Sequence, residues 1–519
     1  MNDKSIDIEL VERTIQPEAQ NFEQHPVSEH SPTHEPTAQN RSSAYHWYVV
    51  IICMVAYILS FVDRQILSLM IEPIKHDLML SDTQFSLLQG LAFSLFYAFM
   101  GVPIAALADK KSRIKIISIG IAFWSFATAA CGLSKNFLQM FLSRLGVGAG
   151  EAALSPAFYS IVADLFPKEK LGRALGLYAI GAFIGSGLAF LIGGYVIGLL
   201  KNVNLVTLPL IGEIKTWQLT FMIVGLPGVL LALLMILTVR EPERKGLKIG
   251  QDGQVVKASF KNSIAFIKTH KKTFFCHFIG FSFYTMMLYA LLGWAPAFYM
   301  RNHGLDASQT GYILGIIILV ANTSGALFCG WLIDWFSKRG YSDAAIRSGM
   351  IGCAALIIPS VLFTQVDNMY LSFALIFVAM FFSTFPIPAS AAATQMLTPN
   401  QLRAQVSAKF LLISNLIALG IGTTAVALIT DKYFQNTVMV GNSISIVNAV
   451  AGVQHQVLAQ PAHTTGEEHE HHQRHTQRLQ SGSQRRMPIG IVVKTSSAEL
   501  RAQHRDIDVR LGHVDAHHH

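Results

Sequence analysis

Charged side chains are scarce in this sequence. Asp, Glu, Lys and Arg make up only 14% of its 519 residues, whereas soluble proteins average about 25%. The scarcity is greatest in residues 47–453, where 46 of 407 residues are charged, and the mean hydropathy of the whole chain is +0.41. This composition excludes a soluble enzyme, a disordered protein and a nucleic-acid binder, and it predicts a chain that folds in lipid.

Motifs of soluble chemistry are missing as well. The five cysteines lie in apolar runs without a Cys-x-x-Cys pair, which excludes a disulfide framework and a zinc knuckle. No Gly-x-x-x-x-Gly-Lys-Ser/Thr loop occurs, which excludes an ATP-driven pump. Residues 469–473, HEHHQ, lack the second histidine of a His-Glu-x-x-His site. We therefore predict that the protein is not an enzyme, holds no cofactor or metal, and draws its energy from a gradient.

Eleven apolar runs are long enough for membrane-spanning helices, which need about 20 residues. Because a helix satisfies its own backbone hydrogen bonds, they predict an all-α polytopic membrane protein. The break at 240–272 carries nine Lys/Arg against three Asp/Glu, and basic loops lie in the cytoplasm. Loops on its side hold 21 Lys/Arg and the others 6, which predicts a cytoplasmic N-terminus. The runs are 47–71, 85–108, 114–133, 138–163, 172–199, 218–239, 275–299, 311–333, 349–366, 369–393 and 410–430.

The polar breaks predict a chain in five parts. Residues 1–46 have eight acidic and three basic side chains and no signal peptide, which predicts a disordered, acidic cytoplasmic tail. The other parts are a six-helix bundle at 47–239, a basic cytoplasmic linker at 240–272, a second bundle at 273–453 and a polar His/Gln/Arg-rich tail at 454–519. The second bundle has five clear spans, because a twelfth apolar run at 438–453 is short, is interrupted by polar residues and ends abruptly. A frame change near Val453 is our hypothesis for this break.

Two similar segments follow the second and eighth runs, ALADKKSRIK at 106–115 and GWLIDWFSKR at 330–339. An acidic residue followed by bases at a helix end can latch helix bundles together, with ordinary loop charge as the alternative. Here the chain resembles the major facilitator superfamily, which implies two six-helix bundles that rock around a central cavity. The residues that carry this conformational motif are Asp109, Lys110, Arg113 and Lys115, and in the second copy Gly330 and Asp334.

Four ionisable residues lie inside predicted spans, where a charge costs about 2.5 to 3.5 kcal/mol. Asp63 and Arg64 are neighbours in the first span, about 100° apart around the helix, and need not share a partner. Arg144 and Glu151, nearly two turns apart in the fourth span, project from one face. We predict that the carboxylates alternate between protonation and pairing with an arginine, which couples protons to transport. The alternatives are a permanently paired network and a residue that snorkels to an interface.

Three segments make the chain most similar to the spinster-like branch of that superfamily, especially its bacterial members. They are FVDRQILS at 61–68, RLGVGAGEA at 144–152 and RALGLYAIGAFIG at 173–185. The resemblance implies that the four charged residues couple protons and recognise substrate, and that the substrate is an anionic amphiphile such as a lysophospholipid or sphingoid phosphate. The runner-up is an anion:proton symporter for hexuronates or other organic acids. A non-transporting membrane sensor and an inactive truncated product are alternatives of another class.

The expected partners are therefore protons, an anionic substrate and the lipid bilayer, with a monomer in the bacterial inner membrane. Polar residues of the second half are weaker cavity candidates. Trp294 is typical of an interfacial aromatic belt or of a cavity wall. Asn322 and Asn415 are more typical of hydrogen bonds between helices than of substrate ligands. The remaining candidates are Tyr284 and Tyr289.

Overall fold

Long helices dominate the part of the chain that the computed structural model describes, residues 39–108, 110–200, 205–208, 212–244, 260–399 and 402–459. Helices form over the apolar runs because each satisfies its backbone N–H and C=O groups within its own segment. The twelve long helices are α1 Gln39–Leu69, α2 Asp82–Ala108, α3 Arg113–Cys131, α4 in two pieces, Phe137–Glu151 and Leu154–Leu165, α5 Lys168–Leu199, α6 Thr216–Thr238, α7 Lys271–Asn302, α8 Ala307–Lys338, α9 Ala344–Leu362, α10 Met369–Leu397, α11 Gln405–Phe434 and α12 Thr437–Ala459.

Shorter elements connect some of these helices. The short helix Ile71–Leu78 follows α1, the helix Phe260–Thr269 precedes α7, and an antiparallel hairpin of β1, Leu205–Leu208, and β2, Gly212–Lys215, lies between α5 and α6. Asp77 of the short helix pairs with Lys215 at 2.6 Å and accepts a hydrogen bond from Trp217 Nε1 at 2.5 Å. Burial raises the pKa of Asp77, but these donors outweigh it and hold the pKa below its ordinary value. The hairpin end is therefore tied to the segment that follows α1.

Eleven helices in the described residues are long and apolar enough to cross a membrane. This equals the predicted number and confirms the all-α polytopic class, but the membership differs. The fourth predicted span is absent from the eleven because a turn at Ala152 and Ala153 divides α4 into pieces of 15 and 12 residues. The helix α12 takes its place.

The twelfth span, predicted to be partial, is a helix of 23 residues. The expectation that it ends at Val453 is wrong, because its polar side chains face neighbouring helices rather than interrupting the helix. His455 is buried and its Nδ1 contacts the Gly280 carbonyl at 2.9 Å. Gln456 donates a hydrogen bond to the Met350 carbonyl at 2.7 Å. Hydropathy alone therefore understates the length of this helix.

We expect the last two turns of α12 to stabilise the second bundle. Removing residues 454–519 deletes the contacts of His455 and Gln456, so the midpoint of thermal unfolding in detergent should fall by several degrees. Removing 460–519 is the matched control, and it should leave the midpoint where it is in the full chain. Equal midpoints for the two truncated proteins would contradict this role. Residues 460–519 lie outside the described residues, and the frame change stays a prediction.

The long helices form two bundles. In the first bundle, α4 packs against α2 and α3, and α3 packs against α6. In the second bundle, α10 packs against α8 and α9, and α7 packs against α11. The bundles meet where α5 packs on α8 and where α2 packs on α11. At the first of these contacts, Ser308 donates a hydrogen bond to the Gly194 carbonyl at 2.7 Å.

The two bundles touch at one end of the molecule and separate towards the other. We name the closed end as the one at which α1, α7 and α11 finish and α2, α8 and α12 begin. Nearer that end, Gly187 of α5 lies against Leu319 of α8. Eleven residues away on each helix, about three turns and hence on the same face, a Cβ atom at Gly176 or Gly330 would have nothing within 4 Å. The cleft between the bundles therefore opens away from the closed end.

Candidate transport site

A buried ion pair joins α1 to α4 inside the first bundle. Arg64 donates from Nε to Glu151 Oε2 at 2.7 Å, and its Nη2 contacts the same oxygen. The Glu151 side chain is 1% exposed and that of Arg64 is 13% exposed. The second carboxylate oxygen, Oε1, is buried and has no hydrogen-bond partner among the residues described. Glu151 therefore engages the arginine through one oxygen, and its other oxygen is able to take a proton.

Aromatic rings enclose the Arg64 guanidinium. Its Cζ lies 4.6 Å from the ring centre of Phe61, 4.4 Å from that of Phe93 and 5.5 Å from that of Tyr97. These distances are within the range of cation–π attraction. Arg64 also lines a small cavity between the bundles together with Tyr289 of α7. The structure thus places one candidate of the second half beside the charged residues of the first.

Arg144 and Asp63 lie near this pair, and no ion pair joins them in the described part of the chain. Arg144 is 1% exposed and donates to two backbone carbonyls, from Nε to Leu88 at 3.3 Å and from Nη1 to Asp63 at 3.2 Å. The Asp63 carboxyl group is buried and faces Trp124 and Thr128. Within the described ranges, the buried indole N–H and hydroxyl of those residues reach no hydrogen-bond partner. A carboxylate that shifts slightly would meet both donors.

The four predicted charges thus lie together but use different partners. Arg64 and Glu151 form an arginine–carboxylate pair, whereas Arg144 holds backbone carbonyls in this state. Both α4 residues contact α1, which agrees with their seven-residue spacing. The pairing of Arg144 with a carboxylate remains a prediction for another state of the molecule.

A second group of charges, which the sequence analysis missed, joins the bundles at the closed end. Arg301 of α7 contacts Asp82 through both Nη atoms, at 2.7 and 2.8 Å, and Glu72 through Nε at 2.7 Å. Lys75 also pairs with Asp82. The Arg301 side chain is 7% exposed and that of Asp82 is 0% exposed. We name these four residues the closed-end cluster. The sequence clue to the closed-end cluster was Arg301, which follows a predicted span on the outer side of the membrane, where basic residues are few.

Further hydrogen bonds join the two bundles at the closed end. The backbone N–H and the hydroxyl of Thr83 donate to Asp431 Oδ2 at 2.6 and 2.7 Å, which joins α2 to α11. Gln89 donates from Nε2 to Ser68 Oγ at 2.6 Å and to the Gly293 carbonyl of α7 at 3.3 Å. Opening the closed end must therefore break contacts on α2, α7 and α11 together.

Arg113 organises the opposite end of the first bundle. Its side chain is fully buried, pairs with Asp164 near the end of α4, and donates from Nε to Glu241 Oε1 at 2.7 Å just after α6. It also donates to Ser160 Oγ at 2.9 Å and to the Pro242 carbonyl at 2.9 Å. In this state, Arg113 ties α3, α4 and the segment after α6 within one bundle.

We expect the Arg113–Glu241 contact to stabilise the first bundle above acidic pH. Burial raises the pKa of Glu241, but hydrogen bonds from Arg113, the Ile114 N–H and Ser112 outweigh it and lower that pKa. A lowered pKa contributes stability that is present above the unfolded-state value of about 4.3 and is lost as the pH falls through the folded-state value. Glu241→Gln should therefore lower the thermal midpoint at about pH 7 and converge with the wild type near pH 3. Glu213→Gln, at an exposed site on β2, is the control, and a gap that does not change with pH would contradict the assignment.

The other signature residues make fewer contacts. Lys110 and Lys115 are exposed, and Asp109 lies outside the described residues. In the second copy, a side chain at Gly330 would meet open space, and Asp334 is exposed with no ion pair among the residues the structure describes. The role of both copies in gating stays a prediction.

Two aromatic candidates of the second half are buried. Trp294 is 0% exposed and donates from Nε1 to the Thr423 carbonyl at 2.9 Å. This position excludes the interfacial belt, which was one of its two interpretations. Tyr284 is also fully buried, and its hydroxyl donates to the Phe382 carbonyl at 2.7 Å. Tyr284 therefore packs inside the second bundle.

The two asparagine candidates show no interhelical side-chain hydrogen bond among the described residues. Asn322 is 1% exposed, and its Oδ1 is buried without a partner. Asn415 is half-buried at the point where α11 enters a π-helical turn. The predicted bonding of these residues between helices is therefore not present in this state.

Comparison with known proteins establishes the family. A family model described as Major Facilitator Superfamily matches residues 53–423. The chain belongs to the major facilitator superfamily. It is therefore an integral, multi-pass membrane transporter of a family whose members are not enzymes, and the predicted fold class is confirmed.

Similar proteins include members of the spinster-like branch. The crystal structure of a bacterial homologue of the human lysosomal transporter Spinster, inward-facing and unoccupied, has a TM-score of 0.69 at 26% identity, covering 82% of this chain and 98% of that one. Protein spinster homolog 1 of Xenopus tropicalis is 28% identical over 64% of this chain and 61% of its own length. An MFS-type efflux pump of Mycolicibacterium smegmatis is 27% identical over 74% of this chain and 85% of its own length. The predicted resemblance to spinster proteins is confirmed.

Proposed function

We propose that this facilitator is a proton-coupled secondary transporter that moves an anionic amphiphile by alternating access. The observation that carries the proposal is the buried pair of Arg64 with Glu151, whose Oε1 has no hydrogen-bond partner in the part of the chain that the structure describes. A proton on that oxygen removes the negative charge, while the arginine remains charged. An unpaired buried cation is strongly unfavourable. The anionic head of a substrate can then replace the carboxylate on Arg64.

The surroundings of Arg64 support an amphiphile over a compact organic acid. Tyr57 stacks on Tyr178 with ring centres 4.4 Å apart, and Tyr178 stacks on Phe158 at 3.9 Å. Tyr178 and Phe158 are buried. Tyr57 and Tyr97 are partly exposed, so these two rings offer aromatic surface near Arg64, which suits an apolar body. A small organic acid would be expected to need more convergent polar groups. The resemblance to spinster proteins supports the same substrate class.

The loop charges support an orientation for the cycle. With the N-terminus in the cytoplasm of a bacterial cell, the closed end faces outwards and the cleft opens inwards. Transport then requires the closed-end cluster to part in the second half of the cycle. Orientation is tested by proteolysis of a tag fused before Met1 in right-side-out vesicles, where protection is expected.

Uptake into proteoliposomes under an imposed pH gradient tests the proposal. A labelled lysophospholipid and a labelled sphingoid phosphate are compared with a labelled hexuronate. We expect lipid flux that collapses when a protonophore is added. Flux of the hexuronate alone would favour the organic-acid symporter, and saturable binding without net flux would favour a sensor. A folded protein with neither binding nor flux would indicate an inactive product.

A further inference from the structure

Two π turns face each other where α2 and α11 cross. The first, Leu87–Leu91, interrupts α2, and the second, Leu416–Ile421, interrupts α11. The turns pack together, and a side chain at Gly90 would collide with the Leu419 carbonyl and the Thr423 hydroxyl. Single π turns inside α-helices occur frequently at functional sites. This contact is a close approach of backbones that belong to opposite bundles.

The π turn of α2 changes the bonding of one carbonyl. The N–H of Ala92 bonds to the Leu87 carbonyl rather than to the Leu88 carbonyl that a regular α-helix would use. Arg144 donates to the Leu88 carbonyl from Nε and to the Asp63 carbonyl from Nη1. One guanidinium thus braces the turn that seals the bundles and also holds the backbone of an ionisable residue in α1.

We propose that Arg144 is a positioning residue that transmits the charge of Asp63 to the π-turn contact, an inference that rests on the proposed proton coupling. While Asp63 is protonated, Arg144 stays on the two carbonyls and Gly90 stays against α11. An ionised Asp63 competes for the guanidinium, because arginine and a carboxylate can form a bidentate ion pair, whereas the present bonds join the same cation to neutral carbonyls. Arg144 then leaves the Leu88 carbonyl, the turn loses its brace, and the closed end opens.

The groups around Asp63 make Arg144 the cation that responds to it. Arg64 is held by Glu151, and tyrosine and cysteine side chains are neutral near pH 7. Trp124 and Thr128 of α3 supply neutral donors. The titratable and charged groups that surround Asp63 and Arg144 are Arg64 on α1, Tyr97 on α2, Cys131 at the end of α3, Glu151 on α4 and Tyr289 on α7.

Spin-label distances across the closed end test this inference. Met79 and Tyr370 belong to opposite bundles and are 86% and 79% exposed, while the five native cysteines are buried. Labels on Met79→Cys and Tyr370→Cys, in liposomes from about pH 5 to about pH 8, should show a longer distance gaining population as the pH rises. Arg144→Lys keeps the charge but lacks the planar fork that spans two carbonyls. Its distance distribution should no longer respond to pH, and Asp63→Asn should hold the short distance throughout.

A matched variant and a second site make the outcome decisive. Arg347 of α9 pairs with Asp343 at 2.6 Å, a contact that a lysine can keep, so Arg347→Lys should respond to pH as the parent does. A response of Arg144→Lys equal to that of the parent would overturn the inference and leave proton coupling standing. A parent that does not respond to pH would overturn both. If Arg144→Lys fails to fold, Gly90→Ala tests the same contact between the π turns. This variant should populate the longer distance at every pH. A distance distribution equal to that of the parent would show that the contact at Gly90 does not hold the closed end together.

Discussion

Arg301→Ala should shift the protein towards a state in which the closed end is open. Arg301 makes two hydrogen bonds to Asp82, at 2.7 and 2.8 Å, and the Asp82 side chain is 0% exposed. Breaking one partner of a buried ion pair costs about 3–5 kcal/mol, and 1.4 kcal/mol corresponds to about tenfold in population. Because Lys75 stays on Asp82, we expect the lower end of this range, a loss of about a hundredfold in the relative population of the closed state. The spin-label pair on Met79 and Tyr370 measures the change.

Removal of both charges separates this electrostatic cost from a loss of packing. In Arg301→Ala/Asp82→Asn the buried Asp82 carboxylate is removed together with its arginine. Glu72 and Lys75 lose their partners, but they lie three residues apart on one helix and can offset each other, so much of the closed population should return. Arg301→Lys should lie between the wild type and Arg301→Ala, since lysine retains the charge but not the bidentate geometry. A distance distribution in Arg301→Ala that matches the wild type would show that the cluster does not hold the bundles together.

The membrane helices were predictable because backbone N–H and C=O groups in lipid must form their hydrogen bonds within the protein, and a helix does so within its own segment. Where the prediction was wrong, the causes were polar residues in α12 and a break inside an apolar run in α4. In α12, His455 and Gln456 bond to carbonyls of α7 and α9. Polar residues often indicate that a membrane helix has ended, but here they lie inside the bundle and the helix continues through them. In α4, the turn at Ala152 and Ala153 precedes Pro156, which has no N–H to bond to the Ala152 carbonyl and whose ring clashes with it. The apolar run continues through this proline, so hydropathy alone did not predict the break.

The charged residues of the site were predictable for a related reason. A charge within a span is costly, so Asp63, Arg64, Arg144 and Glu151 stood out individually. Their partners could not be predicted, because Arg64 and Glu151 are 87 residues apart in the sequence. Helix periodicity predicts the face of a helix on which a residue lies, but not which other helix that face contacts. The backbone partner of Arg144 depends on a π turn that has no sequence signature. Arg301, at the end of a span, looked like an ordinary interfacial charge.

Glu151→Gln should abolish proton-driven accumulation while preserving substrate exchange. Glutamine has the shape of a protonated glutamate, so Arg64 loses its counter-charge and becomes permanently available to an anion. The variant cannot bind and release a proton at this position. Without coupling, the substrate concentration ratio across a proteoliposome membrane should fall to about one even under an imposed pH gradient. Counterflow of labelled against unlabelled substrate should continue, with anion binding at least as tight as in the wild type.

Comparison with Asp63→Asn assigns separate roles to the two carboxylates. If Asp63 governs opening through Arg144, its asparagine variant should lose exchange as well as accumulation, because the closed end no longer opens. Glu213→Gln, at an exposed position, controls for the loss of a glutamate and should transport normally. Wild-type pH dependence of accumulation in Glu151→Gln would place the coupling proton elsewhere. Loss of exchange in Glu151→Gln, in protein that still reaches the membrane, would instead mean that the Arg64–Glu151 pair is a structural link between α1 and α4.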